Sequence, residues 1–208
     1  MSEKECSLHK HKKHKLLRRI FAGILITLFI ILIIVLIIWA ILQPKKPQFS
    51  LQDATVYSFN ITAPNFLTSA IQITISSRNP NDQIGVYYDK LDVYATYQNQ
   101  QITYYTSIPP TYQGHMSVNV WSPFVSGTTV PVAPYNGVAL SQDEADGTVN
   151  LLFKIDGRVR FKVGTFISAQ YPLFVKCPAV ITFGSRSTGV VVGDAVKYQM
   201  FQSCSVTV

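Results

Sequence analysis

The sequence predicts an all-β domain, an antiparallel β-sandwich, preceded by one transmembrane helix. Three observations predict it. Ile20 to Leu42 is a run of 23 residues without a charge, in which only Gly23 and Thr27 fall outside the apolar class. Beyond residue 47, apolar residues recur at every second position, and no stretch sustains the 3.6-residue period of a helix. All eleven prolines beside ten of the eleven glycines and all eleven tyrosines follow the apolar run, as short strands joined by frequent turns require.

Of the 208 residues, 48% are apolar and 14% charged, and the mean hydropathy of +0.20 is raised by that one run. Setting residues 1–42 aside leaves 166, enough for one domain with its own core and too few for two. This excludes a disordered chain, a multi-pass membrane protein and a large multidomain enzyme.

The first element is the anchor, residues 20–42. At about 1.5 Å per residue its length is roughly 34 Å, against about 30 Å of hydrocarbon. Trp39 stands near its end, where aromatic rings favour the membrane interface. A cleaved signal peptide has an apolar region of only about 7–15 residues and a small-residue cleavage site. This run is longer and exits into Gln43-Pro44-Lys45-Lys46-Pro47, so an uncleaved signal anchor is expected.

Residues 1–19 form a basic tail. Lys4, Lys10, Lys12, Lys13, Lys15, Arg18 and Arg19 precede the anchor, and only Lys45 and Lys46 follow it closely. Basic residues stay on the cytosolic side, which puts the N-terminus inside and residues 43–208 across the membrane. With Glu3 and Glu5 the tail holds +5 of the net charge of +7, so no basic folded face suggests nucleic acid. The tail reads first as a topology signal. Lys10, Lys12, Lys13, Lys15, Arg18 and Arg19 also form a cluster suited to anionic lipid of the inner leaflet, and Cys6 is a candidate for acylation.

The strands follow from parity. Ile71, Ile73 and Ile75 alternate with Gln72, Thr74 and Ser76, and Leu173, Val175, Cys177, Ala179, Ile181 and Phe183 hold one parity. A two-residue loop at Asn99-Gln100 would pair Tyr97 with Ile102 and Ala95 with Tyr104, keeping the apolar members on one face. Asp156-Gly157 resembles a hairpin turn but fails the same test. Pairing across it would put Val159, Phe161 and Val163 opposite the face of Leu151, Phe153 and Ile155. One long strand, Val149–Val163, is expected instead, with Gly157 as a bulge or a point of close approach. Lys154, Arg158, Arg160 and Lys162 then share its outer face, read as solvated, with contact to an acidic partner as the alternative.

Cys177 and Cys204 each share parity with inward-facing neighbours and lie on the oxidising side of the membrane. A disulfide between them is expected, with two buried free thiols as the alternative. It would close a loop of about 28 residues and contribute roughly 3–4 kcal/mol in the chain-entropy model. Asn60-Ile61-Thr62 is a glycosylation sequon.

Catalytic signatures are missing. His115 is the one histidine after the anchor, and there is neither a G-x-S-x-G elbow nor a C-x-x-C pair. Gly184 to Gly189 has the glycine spacing of a phosphate loop, but Val190 stands where lysine is required. Asp143, Glu144 and Asp146 lack the ligand pattern of a calcium loop and read as a solvated loop. The separation of paired carboxylates, as a glycosidase needs, stays open at this level. No catalytic residue, metal or cofactor is expected.

Asn79-Pro80-Asn81-Asp82-Gln83-Ile84-Gly85-Val86-Tyr87-Tyr88-Asp89 resembles the signature of the plant harpin-induced, non-race-specific disease resistance-like proteins, of the second late-embryogenesis-abundant group. Further matches are Pro109 to Gly114, Val120 to Pro123, Val130 to Pro134, Gly157 to Gly164 and Cys204 to Val206. With the basic tail and anchor, the likeness covers nearly the whole chain. It implies an immunoglobulin-like or fibronectin-like β-sandwich held at the plasma membrane, with some relatives at plasmodesmata. It also implies a role in defence, sometimes in abiotic stress, and no catalytic residue. Many relatives carry basic residues where this chain has Asp82-Gln83.

Asn79, Pro80 and Asn81 read as a strand exit: proline fixes φ, and asparagine side chains bond back to nearby backbone. Gly85 would supply a conformation denied to other residues before a Val86–Tyr97 strand. A recognition loop is the functional alternative. The leading expectation is a non-enzymatic surface protein acting through unidentified partners outside the membrane, defence-signalling components among them. Stress protection or membrane–wall tethering is the second, and glycan or lipid binding in a tyrosine-lined cleft the third. Most tyrosines are expected in sheet and core.

Overall fold

The structure is a computed structural model. It describes the backbone of residues 3–41, 45–62, 65–184 and 187–208, with the side chains of all but 3–16 and 37–41. Two compact units divide at Gln43/Pro44.

The first unit is a helix, α1, Glu3–Ile41. Within it Leu17–Leu36 is long and apolar enough to cross a membrane, and none of that stretch is buried. Thr27 Oγ1 donates to the carbonyls of Gly23 (3.1 Å) and Ile24 (2.8 Å), so the one hydroxyl of the stretch is satisfied within the helix, as a helix in hydrocarbon would need.

The second unit holds two antiparallel sheets. The first contains β1 (Gln48–Thr62), β2 (Phe66–Arg78), β7 (Val118–Trp121), β8 (Phe124–Pro131), β12 (Val190–Val192) and β13 (Ala195–Ser203). Its order is β12-β13-β1-β2, with β7 and β8 both along the remaining edge of β2. The second contains β3 (Ile84–Tyr97), β4 (Gln100–Gln101), β5 (Thr106–Ile108), β6 (Thr111–Gln113), β9 (Thr148–Val163), β10 (Phe166–Ile167), β11 (Tyr171–Thr182) and β14 (Ser205–Thr207). Its order is β14-β11-β9-β3, with β4, β5 and β6 along β3 and β10 beside β9. The expected sandwich is the observed class of fold.

The core lies between the sheets. Ile71, Ile73 and Ile75 face Val93, Ala95, Leu151, Phe153, Val175 and Cys177 in one apolar cluster, all buried. Bulges break the period-two pattern in several strands, among them β1 and β3. In β1 the buried residues pass from Phe49 and Leu51 to Ala54 and Val56, where the register shifts between Leu51 and Asp53, and it shifts again between Val56 and Ser58. In β3 they pass from Val86 and Tyr88 to Leu91 and Val93, where the register shifts between Tyr88 and Lys90. Each extra residue turns the strand's inward face over.

β9 is one strand through Gly157, as parity required. The irregularity belongs to its partner: β3 bulges at Asp89, and a Cβ on Gly157 would lie 2.5 Å from the Lys90 carbonyl oxygen. Gly157 is therefore the point of close approach.

Two expectations are corrected. The hairpin loop is Gln98-Asn99, not Asn99-Gln100, and Tyr97 pairs with Gln100 and Thr96 with Gln101. Gln98 (φ 43°) and Asn99 (φ 66°) are both left-handed, the geometry that matches strand twist in a two-residue loop. Moving one residue on each strand preserves parity, so face matching could not separate the registers. The domain also contains a helix, α2, Pro134–Ala145, which takes in Asp143 and Glu144, read above as loop. Pro134 supplies a preset φ in its first turn. It buries only Asn136, Gly137 and Leu140, too little apolar face to leave a period in the sequence.

Candidate functional site

Four of the resemblance motifs, those at 79–89, 109–114, 120–123 and 204–206, converge where the chain enters the sandwich, whereas Val130 and Pro131 pair with Leu67 and Phe66 at the other end of β2. Asn79 Nδ2 donates to the carbonyls of Ile84 (2.7 Å) and Gly114 (2.9 Å), and its Oδ1 accepts from Asn81 N (3.1 Å) and Nδ2 (2.9 Å). Asn81 Oδ1 accepts from Lys45 N and its Nδ2 donates to Lys45 O, both at 2.8 Å. The two asparagines are buried, and their amides satisfy backbone groups that the strand exit leaves free. Asn79, Pro80 and Asn81 thus end β2 and fasten the first residues of the domain.

Beside them Tyr88 Oη donates to Gln113 Oε1 and is hydrogen-bonded to Ser77 Oγ, both at 2.8 Å, while Gln113 Nε2 donates to Ser77 O (2.6 Å). Burial is the main reason the Tyr88 phenol is pushed well above its usual range. The Trp121 ring meets Tyr88 edge-on at 5.4 Å and stacks on Phe49 at 6.3 Å. Cys204 N donates to Phe49 O (2.9 Å), where the chain passes from β13 in one sheet to β14 in the other. The sulfurs of Cys204 and Cys177 of β11 lie at disulfide distance, with Cα atoms 4.4 Å apart.

Gly85 differs from expectation. It lies inside β3, which starts at Ile84, and has no positive φ. What requires glycine is space: a Cβ there would lie 2.8 Å from Cε2 of the Tyr112 ring. Asn60 is exposed on β1 and pairs with Thr68, open to modification. Arg18 and Arg19 are exposed. The side chains of Lys10, Lys12, Lys13, Lys15 and Cys6 lie outside the described residues, as do Leu42, Ser185 and Arg186.

The second surface is the outer face of β3, β9 and β11, where the basic row is not simply solvated. Arg160 makes a paired contact with Asp89 on the bulge, Nε to Oδ2 at 2.8 Å and Nη2 to Oδ1 at 2.6 Å, and lies 5.5 Å from the centre of the Tyr87 ring. The hydrogen bonds from Arg160 hold the Asp89 carboxyl below the usual carboxylate range, against partial burial. Lys162 Nζ lies 5.6 Å from the Tyr112 ring. Asp92 and Asp156 stand directly opposite each other, an arrangement that like charges disfavour. Separate partners relieve it: Lys90 Nζ (2.6 Å) and Ser107 Oγ (2.6 Å) on Asp92, and Tyr94 Oη (3.0 Å) on Asp156. Burial first, then that bond, pushes the Tyr94 phenol up to about 12.

Next to this pair a groove of about 490 Å³ is lined by Lys90, Asp92, Asp156, Arg158, Tyr171 and Phe174, among others. Arg158, Tyr171 and Phe174 are exposed. The tyrosines are expected mostly in sheet and core, and eight of the eleven do lie in strands. Only Tyr88, Tyr97 and Tyr198 are buried, however, whereas Tyr57, Tyr104, Tyr105, Tyr112, Tyr135 and Tyr171 are exposed. Tyr104, Tyr105 and Tyr135 lie outside the strands that form the core, and the ring-on-ring contacts of Tyr87 with Tyr112 (4.5 Å) and Tyr94 with Tyr105 (4.8 Å) run along the outer face. Among the described residues no group of three His, Cys, Asp or Glu side chains could hold a metal ion.

An apolar membrane-compatible helix and a two-sheet β-domain, its chain start clamped by an Asn-Pro-Asn turn, define a class of single-helix sandwich protein. The family described as late embryogenesis abundant protein matches residues 74–177. The chain is 62% identical to NDR1/HIN1-like protein 1 of Arabidopsis thaliana, over 99% of this chain and 100% of the relative. It is 53% identical to NDR1/HIN1-like protein 12 over 100% of both, and 42% identical to NDR1/HIN1-like protein 26 over 76% and 75%, both also from Arabidopsis thaliana. The chain belongs to the NDR1/HIN1-like family of late embryogenesis abundant proteins.

Proposed function

We propose that this chain is a non-enzymatic, plasma-membrane-anchored protein of the plant defence response, acting through protein or surface contacts of its extracellular sandwich. Residues 1–19 form the cytosolic tail, residues 20–42 the signal anchor, and residues 43–208 the extracellular domain. Plasmodesmal membrane is a specialised part of the same location. The observation that carries the reading is the outer face of β3, β9 and β11, with exposed Tyr105, Tyr112, Tyr171, Phe174 and Arg158. Tyrosine and arginine are the residue types that dominate binding energy at protein interfaces. Cys177 and Cys204 are bonded in the oxidising exterior, and Asn60 carries the glycan. The tail's basic cluster meets anionic lipid of the inner leaflet.

The test compares bacterial growth and water loss in plants with and without the protein. Higher bacterial titre with normal water relations is the expected result. Faster water loss with unchanged titre would move the function to dehydration protection. In parallel, cross-linking of the full chain at the cell surface should retain partners that Arg158→Glu with Tyr171→Ala loses. Loss of none would remove the outer face from the mechanism.

A further inference from the structure

At the end of the sandwich where the chain enters, a cavity of about 940 Å³ is lined by Lys45, Lys46 and Arg78 together with Phe49, Val118 and Val206, among others. Its lining contains no aspartate or glutamate. Lys45, Lys46 and Arg78 are exposed, and none of them joins an ion pair among the described residues. Ser50 and Ser76, hydrogen-bonded to each other at 2.8 Å, add hydroxyls to the same wall. Three uncompensated cations above apolar side chains suit an amphiphile with an anionic head, and the volume lies within the usual range of ligand sites.

Covalent continuity says where that amphiphile is found. Two residues, Gln43 and Pro44, separate Leu42, the last of the apolar run, from Lys45, and the three steps between them span at most about 11 Å of chain. Lys45 is not free to drift, because Asn81 holds both its N–H and its carbonyl. The clamp therefore keeps Lys45 and Lys46 on the cavity, beside Arg78 and Pro80.

We infer that this cavity binds the phosphate-bearing headgroup of an anionic phospholipid in the leaflet from which the domain emerges. The inference rests on the anchor reading above. The Asn79-Pro80-Asn81 turn then has a purpose beyond ending β2, since it builds the wall of a lipid-headgroup site. A carboxylate-bearing polymer would meet the same cations, but the apolar lining and the short chain to the anchor favour lipid.

The test uses the full chain in phosphatidylcholine nanodiscs containing a trace of diazirine-bearing phosphatidic acid or diazirine-bearing phosphatidylcholine, with labelled peptides mapped by mass spectrometry. Peptides covering 45–50 and 203–206 should be labelled at least about fivefold more by the anionic probe, roughly the factor that one cation near an anionic surface supplies. The excess should vanish in the K45Q/K46Q/R78Q variant, whose fold is checked by circular dichroism, and should persist in K10Q/K12Q/K13Q/K15Q. Equal labelling by the two probes, or an excess that survives the first variant, overturns the site. A chain that does not enter nanodiscs at all overturns the anchor reading, and the site with it.

Discussion

Asn81 holds Lys45 at both ends of its residue, accepting from the backbone N–H and donating to the carbonyl, each at 2.8 Å. One buried side chain thereby replaces the ladder partners that an approaching segment would otherwise lack. The fastening couples the segment leading into the first strand to the exit of the second, 36 residues apart.

Asn81→Ala removes both bonds and leaves Asn79 Oδ1 with fewer donors. Unfolding free energy should fall by about 1–3 kcal/mol, the usual cost of orphaning buried polar groups. Trypsin should also cut between Lys45 and Lys46 faster than in the wild type, the Lys46-Pro47 bond being resistant. An unchanged cleavage rate would mean that the segment is held by something else.

Reduction, or Cys177→Ser with Cys204→Ser, should lower stability by about 3 kcal/mol in the chain-entropy model. Alkylation of the unreduced, denatured chain should modify Cys6 alone. Modification of all three cysteines would show that the bond between Cys177 and Cys204 had not formed.

Gly157 and Gly85 are both places of close approach, but with different neighbours. A Cβ at Gly157 meets backbone, the Lys90 carbonyl, which cannot yield without moving β3. At Gly85 it meets the ring of Tyr112, an exposed side chain that can swing away. Gly157→Ala should therefore cost about 1–3 kcal/mol and Gly85→Ala clearly less, as read from denaturant midpoints. Equal costs would mean that the Tyr112 ring is also fixed.

Asp89 has a depressed carboxyl pKa because Arg160 bonds its charged form. A depressed folded pKa gives stability that is fully present above the ordinary value of 3.8 and disappears as pH falls through the lower folded value. Asp89→Asn should therefore lower the melting temperature at neutral pH, by a small amount because the pair is partly exposed. The difference should close at pH well below that value. A gap that persists in acid would assign the effect to packing at the bulge rather than to charge.

Much of the fold was legible because burial imposes parity. The long β9 strand was recovered through an apparent turn, since Val159 and Phe161 could share a face with Phe153 only if the chain ran straight. The Gln98-Asn99 register was not recovered, because two pairings kept the same faces and only the left-handed backbone of the loop separates them. The short α2 helix escaped for want of an apolar stripe. The bulge at Asp89 escaped because Tyr87 and Tyr88 stand side by side and either could face inward, which hides where the parity of Val86 gives way to that of Leu91 and Val93.

The candidate sites divide in the same way. The linear sequence determined the apolar span, the charge bias around it, the alternation that makes two sheets, and the Asn-Pro-Asn turn, because each depends on residues near one another in the chain. Tertiary structure alone decided that Asn81 would grip Lys45, that Asp89 would meet Arg160 71 residues away, and that Lys46 and Arg78 would share one cavity with Val206. Such meetings depend on strand register and on bulges, and a shift of one residue would have turned strand side chains such as Arg160 and Arg78 to the other face.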